Sequence, residues 1–300
     1  MAISFGINPI GWTNDCMHWL GDDIPVETCL AEARAAGFSG VELGRKMPKQ
    51  GKALRKLLDA HGLRLVGGWY SGKLLERDAK AEIAALKDHL ALHKEAGATI
   101  MVFAETSGDI INDVGARRSA RPKIGNAEQW RTLGARASEV ADYLADQGVR
   151  MAFHHHMGTV VESVDDIRRL MENTRPSVGL LLDTGHLTYG GGDPVAAINT
   201  FGERINHVHC KDIRGYALEA CTRRDASFSE AILSGIFTAP GDGIVDYMAV
   251  FHALRGAKYE GWVIQEAEQD PRFFNPAIYA ELGHAYLKRT AEAAGFTIAA

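Results

Sequence analysis

Apolar and polar positions follow two periods that alternate from one end of the chain to the other. Short runs rich in β-branched and aromatic residues predict strands at 3–8 (ISFGIN), 40–43 (GVEL), 63–70 (LRLVGGWY) and 99–105 (TIMVFAE). Four more follow at 149–156 (VRMAFHHH), 178–184 (VGLLLDT), 205–212 (INHVHCKD) and 261–268 (GWVIQEAE). The stretches between them carry helical spacing. Residues 25–37 open on Pro25 and close on Gly37, the expected punctuation of a helix. Leu54, Leu57 and Leu58 share one face of a helix over 51–62, and 76–97 and 126–148 read as longer amphipathic helices ending near glycine.

Eight strands in strict alternation with helices predict parallel pairing, because a parallel pair needs a crossover connection. An open dinucleotide-binding sheet is the competitor. It loses because no GxGxxG follows the first strand, and eight βα units are the number that closes a barrel. No composition break or Pro/Ser-rich linker divides the 300 residues. The expected fold is α/β, one (β/α)8 TIM barrel domain over 1–300. Two connections are unusually long, 106–125 after the fourth strand and 213–243 after the seventh. Both leave the C-terminal ends of strands, the face on which barrel enzymes build their sites, so both are expected as active-site loops. Arg117, Arg118, Arg121 and Lys123 make the first one basic, with solvated charge as the main expectation.

Composition narrows the function classes. A net charge of −5 argues against non-specific attraction to nucleic acid or an anionic membrane. No run approaches the roughly 18 apolar residues a membrane helix needs. No basic segment followed by an apolar one opens the sequence, so no export signal is expected. Cysteines at 16, 29, 210 and 221 form no CxxC pair, which predicts reduced thiols in a cytoplasmic protein.

The chemistry concentrates at strand ends. With a side-chain period of two, His154 and His156 share a face and His155 takes the other. Asp183 and His186 close the sixth strand. His207, His209 and Lys211 share a face opposite Asp212, and Glu266 shares a face with Glu268. Each alone has an ordinary explanation: Asp183 is a good N-cap, and a histidine of HVH serves as a satisfied core residue. Together they converge on one barrel mouth, where a divalent cation is the commonest compensation for buried carboxylates. The set His154, Asp183, His209 and Glu266 carries two negative charges when both histidines are neutral, which balances one divalent ion. Its mixed nitrogen and oxygen donors suit Mn, Co, Fe or Zn over Mg or Ca.

The progression DTGH, HVHxKD and GWxxxE resembles the xylose-isomerase-like barrel superfamily, which uses Glu, Asp, His and Glu on four successive strands as metal ligands. Asp183, His209 and Glu266 match the last three, whereas MAFHHHMGT puts His154 in the place of the first glutamate. NPIGWTND (8–15), HHHMGT (154–159), LLDTGH (181–186), HVHCKD (207–212), FTAPGDG (237–243) and EAEQDP (266–271) together resemble the myo-inosose-2 dehydratases of bacterial inositol catabolism.

That resemblance implies removal of water from 2-keto-myo-inositol through an enediolate. It also implies a divalent metal (Mn or Co, with Zn or Fe as alternatives), a link to glutathione and a homo-oligomer, with no nucleic acid or membrane partner. On this reading the catalytic candidates are Glu268 as base, Lys211, His186 and His156. Glu42, Trp12, Trp69 and Asp212 are the candidate contacts to the cyclic polyol ketone, Glu42 having a salt bridge to Arg45 as its alternative. His155 is expected to be structural. A keto-sugar isomerase or epimerase is the nearest alternative, because enediolate formation is shared. A non-catalytic sugar-binding barrel is a further one. An apurinic endonuclease is disfavoured, since strands three and four end without histidine and the chain is acidic.

Overall fold

The computed structural model describes residues 1–299. Its strands are β1 (Ala2–Ile7), β2 (Gly40–Leu43), β3 (Arg64–Gly72), β4 (Ile100–Glu105), β5 (Arg150–His154), β6 (Val178–Asp183), β7 (Ile205–Cys210) and β8 (Gly261–Gln265). Each runs parallel to its neighbours, and β8 pairs back onto β1 with Phe5 opposite Val263, which closes the barrel. Helices cover the outside, as the expected (β/α)8 fold requires. Thr297–Ile298 adds a short segment beside β1.

The pleat sorts side chains between two cores. Met101, Phe103, Met151, Phe153, Leu180 and Leu182 point outward and pack under the helices. Ile100, Val102, Ala152 and Leu181 form a smaller cluster inside the cylinder. The inward phase of β5 and β6 therefore ends on His154 and Asp183, above an apolar plug that keeps water from entering below.

The later strands are shorter than their sequence pattern. β5, β7 and β8 stop at His154, Cys210 and Gln265, so His156, Lys211, Glu266 and Glu268 stand in the turns just above the barrel rim. The expected single helix over 76–97 is two, Ala79–Ala85 and Lys87–Ala96, bent at buried Leu86, whose ψ of −4° leaves the helical range. Both segments thereby follow the barrel's curve.

The connection 213–243 is also more ordered than an open loop. It holds helices Gly215–Arg224 and Phe228–Leu233 and an antiparallel ribbon of Asp212–Ile213 with Phe237–Thr238. Ser227 and Glu230 form a capping box that starts the second helix. Two of the basic residues of 106–125 are paired, Arg121 Nη2 lying 2.8 Å from Asp166 Oδ2 and Arg118 Nη2 3.4 Å from Glu162 Oε1, while Arg117 and Lys123 are exposed as expected. Ser119 N donates to Asp225 Oδ1 at 2.9 Å, tying the two long connections together above the mouth.

Candidate active site

A cavity of about 260 Å³ opens at the C-terminal end of the barrel. Glu42, Trp69, His154, His156, His209, Glu266 and Glu268 line it, with Asn8, Asp15, Ser71, Thr106, Asp109 and Asn112 around them. A larger groove of about 620 Å³ lies outside the barrel between helices and holds none of the candidate residues. The chemistry is therefore in the smaller one.

Four candidate donors face a common centre. His154 Nε2 stands 3.8 Å from Asp183 Oδ2, and His209 Nδ1 is 3.6 Å from that oxygen and 2.8 Å from Glu266 Oε2. The backbone fixes the imidazole of His154: its Nδ1 lies 2.5 Å from the His155 carbonyl and donates to it, so the Nε2 lone pair faces the centre. Asp183 Oδ1 caps the following helix by accepting from His186 N at 2.7 Å. The N-cap explanation is thus correct for one carboxylate oxygen and leaves the other free to face inward.

Asp183 Oδ2 and His209 Nδ1 are buried and make no aligned hydrogen bond. A buried carboxylate oxygen without a partner is costly, and a cation at this centre would remove that cost. Two imidazole nitrogens and two carboxylates are a donor set a divalent transition metal accepts, so the residues present fit such an ion. With protein groups alone, His209 takes that part. Burial by itself would lower its pKa, but Glu42, Glu266 and Asp183 outweigh burial and hold the imidazole well above its usual range.

Beside this centre lies a second cluster. Lys211 is completely buried and all three of its N–H groups are used, toward Glu266 Oε1 at 2.6 Å, Glu268 Oε2 at 3.0 Å and His186 Nε2 at 3.0 Å. Burial would lower the Lys211 pKa, yet Glu266 and Glu268 raise it further than burial depresses it. The two glutamates diverge. Burial raises both, but Lys211 and His209 pull Glu266 down to about 2, whereas burial prevails at Glu268 and leaves its carboxyl raised. Asn14 Nδ2 donates to Glu268 Oε1 at 3.2 Å.

Glycine makes the close approach possible, since a Cβ on Gly185 would stand 2.6 Å from Lys211 Cγ. Phe237 lies beneath the ammonium, with Nζ 4.5 Å from the ring centre, and Phe228 packs against both His156 and His186. This apolar wall comes from the ordered 213–243 segment. Burial lowers the pKa of His156 to about 3 and that of His186 well below its usual value, so both are neutral near pH 7. His156 Nδ1 is 2.7 Å from the Met157 carbonyl and donates to it, leaving Nε2 as an acceptor.

Not every candidate stands in the cavity. Lys211 and His186 lie one layer behind its wall, while Glu268 and His156 line it. Trp69 forms part of the wall, edge-on to His154 and His156. Trp12 does not: it is buried outside the barrel and its Nε1 donates to Glu32 at 2.6 Å, anchoring helix Val26–Ala36. Asp212 is also displaced from a substrate role. Its carboxylate accepts from the backbone N–H of Ile213, Gly241, Gly243 and Val245 at 2.8–3.2 Å, pinning the APGDG turn. Glu42 is at the cavity floor, but its partners are Asn8, His207 and His209, and Arg45 pairs with Asp22 instead. His155 faces the other way and accepts from Asp183 N at 3.2 Å through Nε2. Sequence reasoning missed Asn8, Asn14, Asp15, Asp109 and Asn112. The Asn and Asp residues that open the loops after strands one and four are the signal that was available.

Comparisons with known proteins add to this geometry. A family model described as xylose isomerase-like TIM barrel matches residues 30–290. The rhizopine catabolism protein MocC of Rhizobium meliloti is 47% identical over 298 residues, covering 99% of this chain and 91% of its own. An inosose dehydratase of Geobacillus thermodenitrificans is 39% identical over 289 residues, covering 96% and 97% of the two chains. Among solved structures, an L-ribulose 3-epimerase superimposes with a TM-score of 0.68 at 18% identity, over 98% of this chain and 96% of that one. The IOLI protein, solved with a bound zinc atom, superimposes with a TM-score of 0.64 at 17% identity, over 97% of each chain. At these identities the two structures show the shared fold.

Proposed function

The chain belongs to the xylose isomerase-like TIM barrel family and, within it, to the inosose dehydratase group, and from that premise we propose that it removes water from 2-keto-myo-inositol at the mouth of its barrel. It is a hydro-lyase of inositol catabolism. What most supports the placement of the chemistry is the convergence of His154 Nε2, Asp183 Oδ2, His209 Nδ1 and Glu266 Oε2 on one centre, with one carboxylate oxygen there unpartnered.

His154, Asp183, His209 and Glu266 would hold a divalent ion; the mixed donor set suits Mn, Co, Fe or Zn, and the family resemblance favours Mn or Co. Bound there, the ion supplies Lewis-acid polarisation of the ketone, worth several kcal/mol of charge stabilisation. The remaining steps fall to the chain's own side chains. Glu268, on the cavity wall with a raised carboxyl, takes the proton from the carbon beside the ketone and returns it to the departing hydroxyl. The C–H and C–O bonds break, a C=C bond forms and water leaves. Lys211 and Asn14 hold Glu268 in place. His156 accepts a ring hydroxyl through Nε2, His186 stiffens Lys211 from behind, and Trp69 flanks the ring.

The cavity suits a single ring, and its lining includes Asp15, Glu42, Asp109, Glu266 and Glu268 but neither Lys nor Arg. An uncharged polyol fits that lining, whereas a phosphorylated sugar would meet uncompensated negative charge. Four free thiols, three of them buried, accord with a reducing, cytoplasmic setting, and among the described residues no helix is long and apolar enough to cross a membrane.

Incubating the purified protein with scyllo-inosose and Mn tests the reading. A growing ultraviolet absorbance from the dione product is expected. A change of ring stereochemistry without that absorbance would identify an epimerase instead. Neither conversion nor stoichiometric metal would leave a sugar-binding barrel.

A further inference from the structure

The least expected arrangement lies under the candidate metal centre. Glu42 sits at the cavity floor and its partner His207 is buried, and no step above uses either of them. The strand pairing of β2 with β3 slips by one residue between Val41 and Leu43. The extra residue is in β3, where Val66 and Gly67 stand opposite Glu42 alone; Val41 packs in the outer core, so the pleat turns Glu42 toward the barrel axis. Its Oε1 lies 2.8 Å from His207 Nε2 and 3.1 Å from His209 Nε2, while Oε2 accepts from Asn8 Nδ2 at 2.8 Å.

His209 therefore has a carboxylate at each end. Nε2 meets Glu42, and Nδ1 meets Asp183 and Glu266. A neutral imidazole has one N–H and one lone pair. An N–H on Nδ1 would turn the Nε2 lone pair against the Glu42 oxygen 3.1 Å away. An N–H on Nε2 is donated to Glu42 and leaves the Nδ1 lone pair for a cation. The carboxylate thus selects the tautomer that ligation needs and makes the ring a more basic donor. His207 and Asn8 hold the carboxylate in turn, which fixes the ring's orientation.

We propose that Glu42, held by His207 and Asn8, is a positioning residue that sets the His209 tautomer and thereby the affinity of the centre for a divalent metal. This rests on the metal-centre reading above. It departs from a role for Glu42 in holding substrate hydroxyls.

The test is metal binding to chelator-stripped protein, followed by titration calorimetry and by Mn(II) electron paramagnetic resonance, with no substrate present. The variants are Glu42→Gln, His207→Gln and, as a reference for a lost ligand, Asp183→Asn. Glu42→Gln keeps the side chain's size and an acceptor but removes the charge. The expected result is a Mn(II) Kd weakened about 10- to 100-fold in Glu42→Gln, with a smaller loss in His207→Gln. The metal-free melting curves of both should remain cooperative. A purely structural role would lower the melting temperature and leave the Kd of the folded protein unchanged, and that result overturns the proposal. So does a Glu42→Gln Kd within twofold of the wild type. Wild-type protein that binds no divalent ion overturns the metal centre itself, a distinct failure visible before any variant is made.

Discussion

Replacing Lys211 by Met separates the charge of this side chain from its packing. Met keeps the straight apolar stem, which runs past Gly185 where a Cβ would stand 2.6 Å from Lys211 Cγ. It deletes only the ammonium. Glu266 Oε1 then loses a partner at 2.6 Å, and Glu268 Oε2 and His186 Nε2 each lose one at 3.0 Å. The contact to the Phe237 ring disappears as well. Glu42, Asp183, Glu266 and Glu268 are left sharing His209 as their facing cation. Breaking a buried ion pair by removing one partner costs about 3–5 kcal/mol, most of it from the charge left behind. At about 2.1 cal/mol/K per residue, a 300-residue chain has an unfolding entropy near 0.63 kcal/mol/K, so the expected fall in Tm is about 5–8 °C.

Calorimetric melting of metal-free protein at pH 7 measures this fall. Adding Glu268→Gln to Lys211→Met removes one of the stranded carboxylates and should restore part of the loss. A coupling of about 0.5–3 kcal/mol is the range for residues in one network. Dehydration of scyllo-inosose should stay abolished in the double variant, because the proposed base is gone. Lys211→Met protein melting within 1 °C of wild type would refute the idea that the ammonium neutralises this cluster. Unchanged turnover in the single variant would refute its part in positioning Glu268.

Three further outcomes are expected. Saturating Mn at about one hundred times its Kd should add about 2.7 kcal/mol to stability, some 4 °C in Tm; EDTA should reverse it, and His154→Ala should abolish it. Acid should destabilise the metal-free protein well above the carboxylate range. Burial lowers His155 to about 4 and His156 to about 3, so the unfolded chain binds the extra protons, and stability present above pH 6.5 is lost as pH falls toward those values. Each ring contributes up to about 1.4 kcal/mol per pH unit in that window, so urea unfolding of His155→Phe at pH 7 and pH 5 should show a shallower decline than wild type. Asp212→Ala removes the acceptor of four backbone N–H groups in the 213–245 segment. It should lower stability by a few kcal/mol and expose the 237–243 turn to proteolysis, whereas unaltered cleavage would mean that Asp212 does not hold this turn.

How much of this was legible in the sequence depends on whether a residue's environment is local or long-range. Strand alternation identified the barrel because each βα unit announces itself within about thirty residues, and the inward phase of His154 and Asp183 follows from the pleat alone. Strand ends were less legible. A run such as INHVHCKD continues the pattern past the last paired residue, Cys210, because polar side chains facing a site look like one more turn of alternation. Of the two helices hidden in 213–243, the second was marked by the Ser227–Glu230 capping box, a local signal, whereas the first has no side-chain cap. Trp12 and Asp212 were misplaced, and the partners of Glu42 missed, for a different reason. Each lies at a strand mouth, yet its partners are set by the tertiary fold: Glu32 20 residues away, the 241–245 amides about 30 away, and His207 and His209 165 and 167 away. Two of them are carboxylates, and the alternative weighed for Glu42 was a neighbouring arginine. In a barrel that alternative is weak, because strands that are not neighbours bring inward-facing polar groups together across the axis more readily than the chain brings its own neighbours to them. A buried carboxylate on an early strand is therefore better matched against the histidines of the late strands than against the next basic residue along the chain.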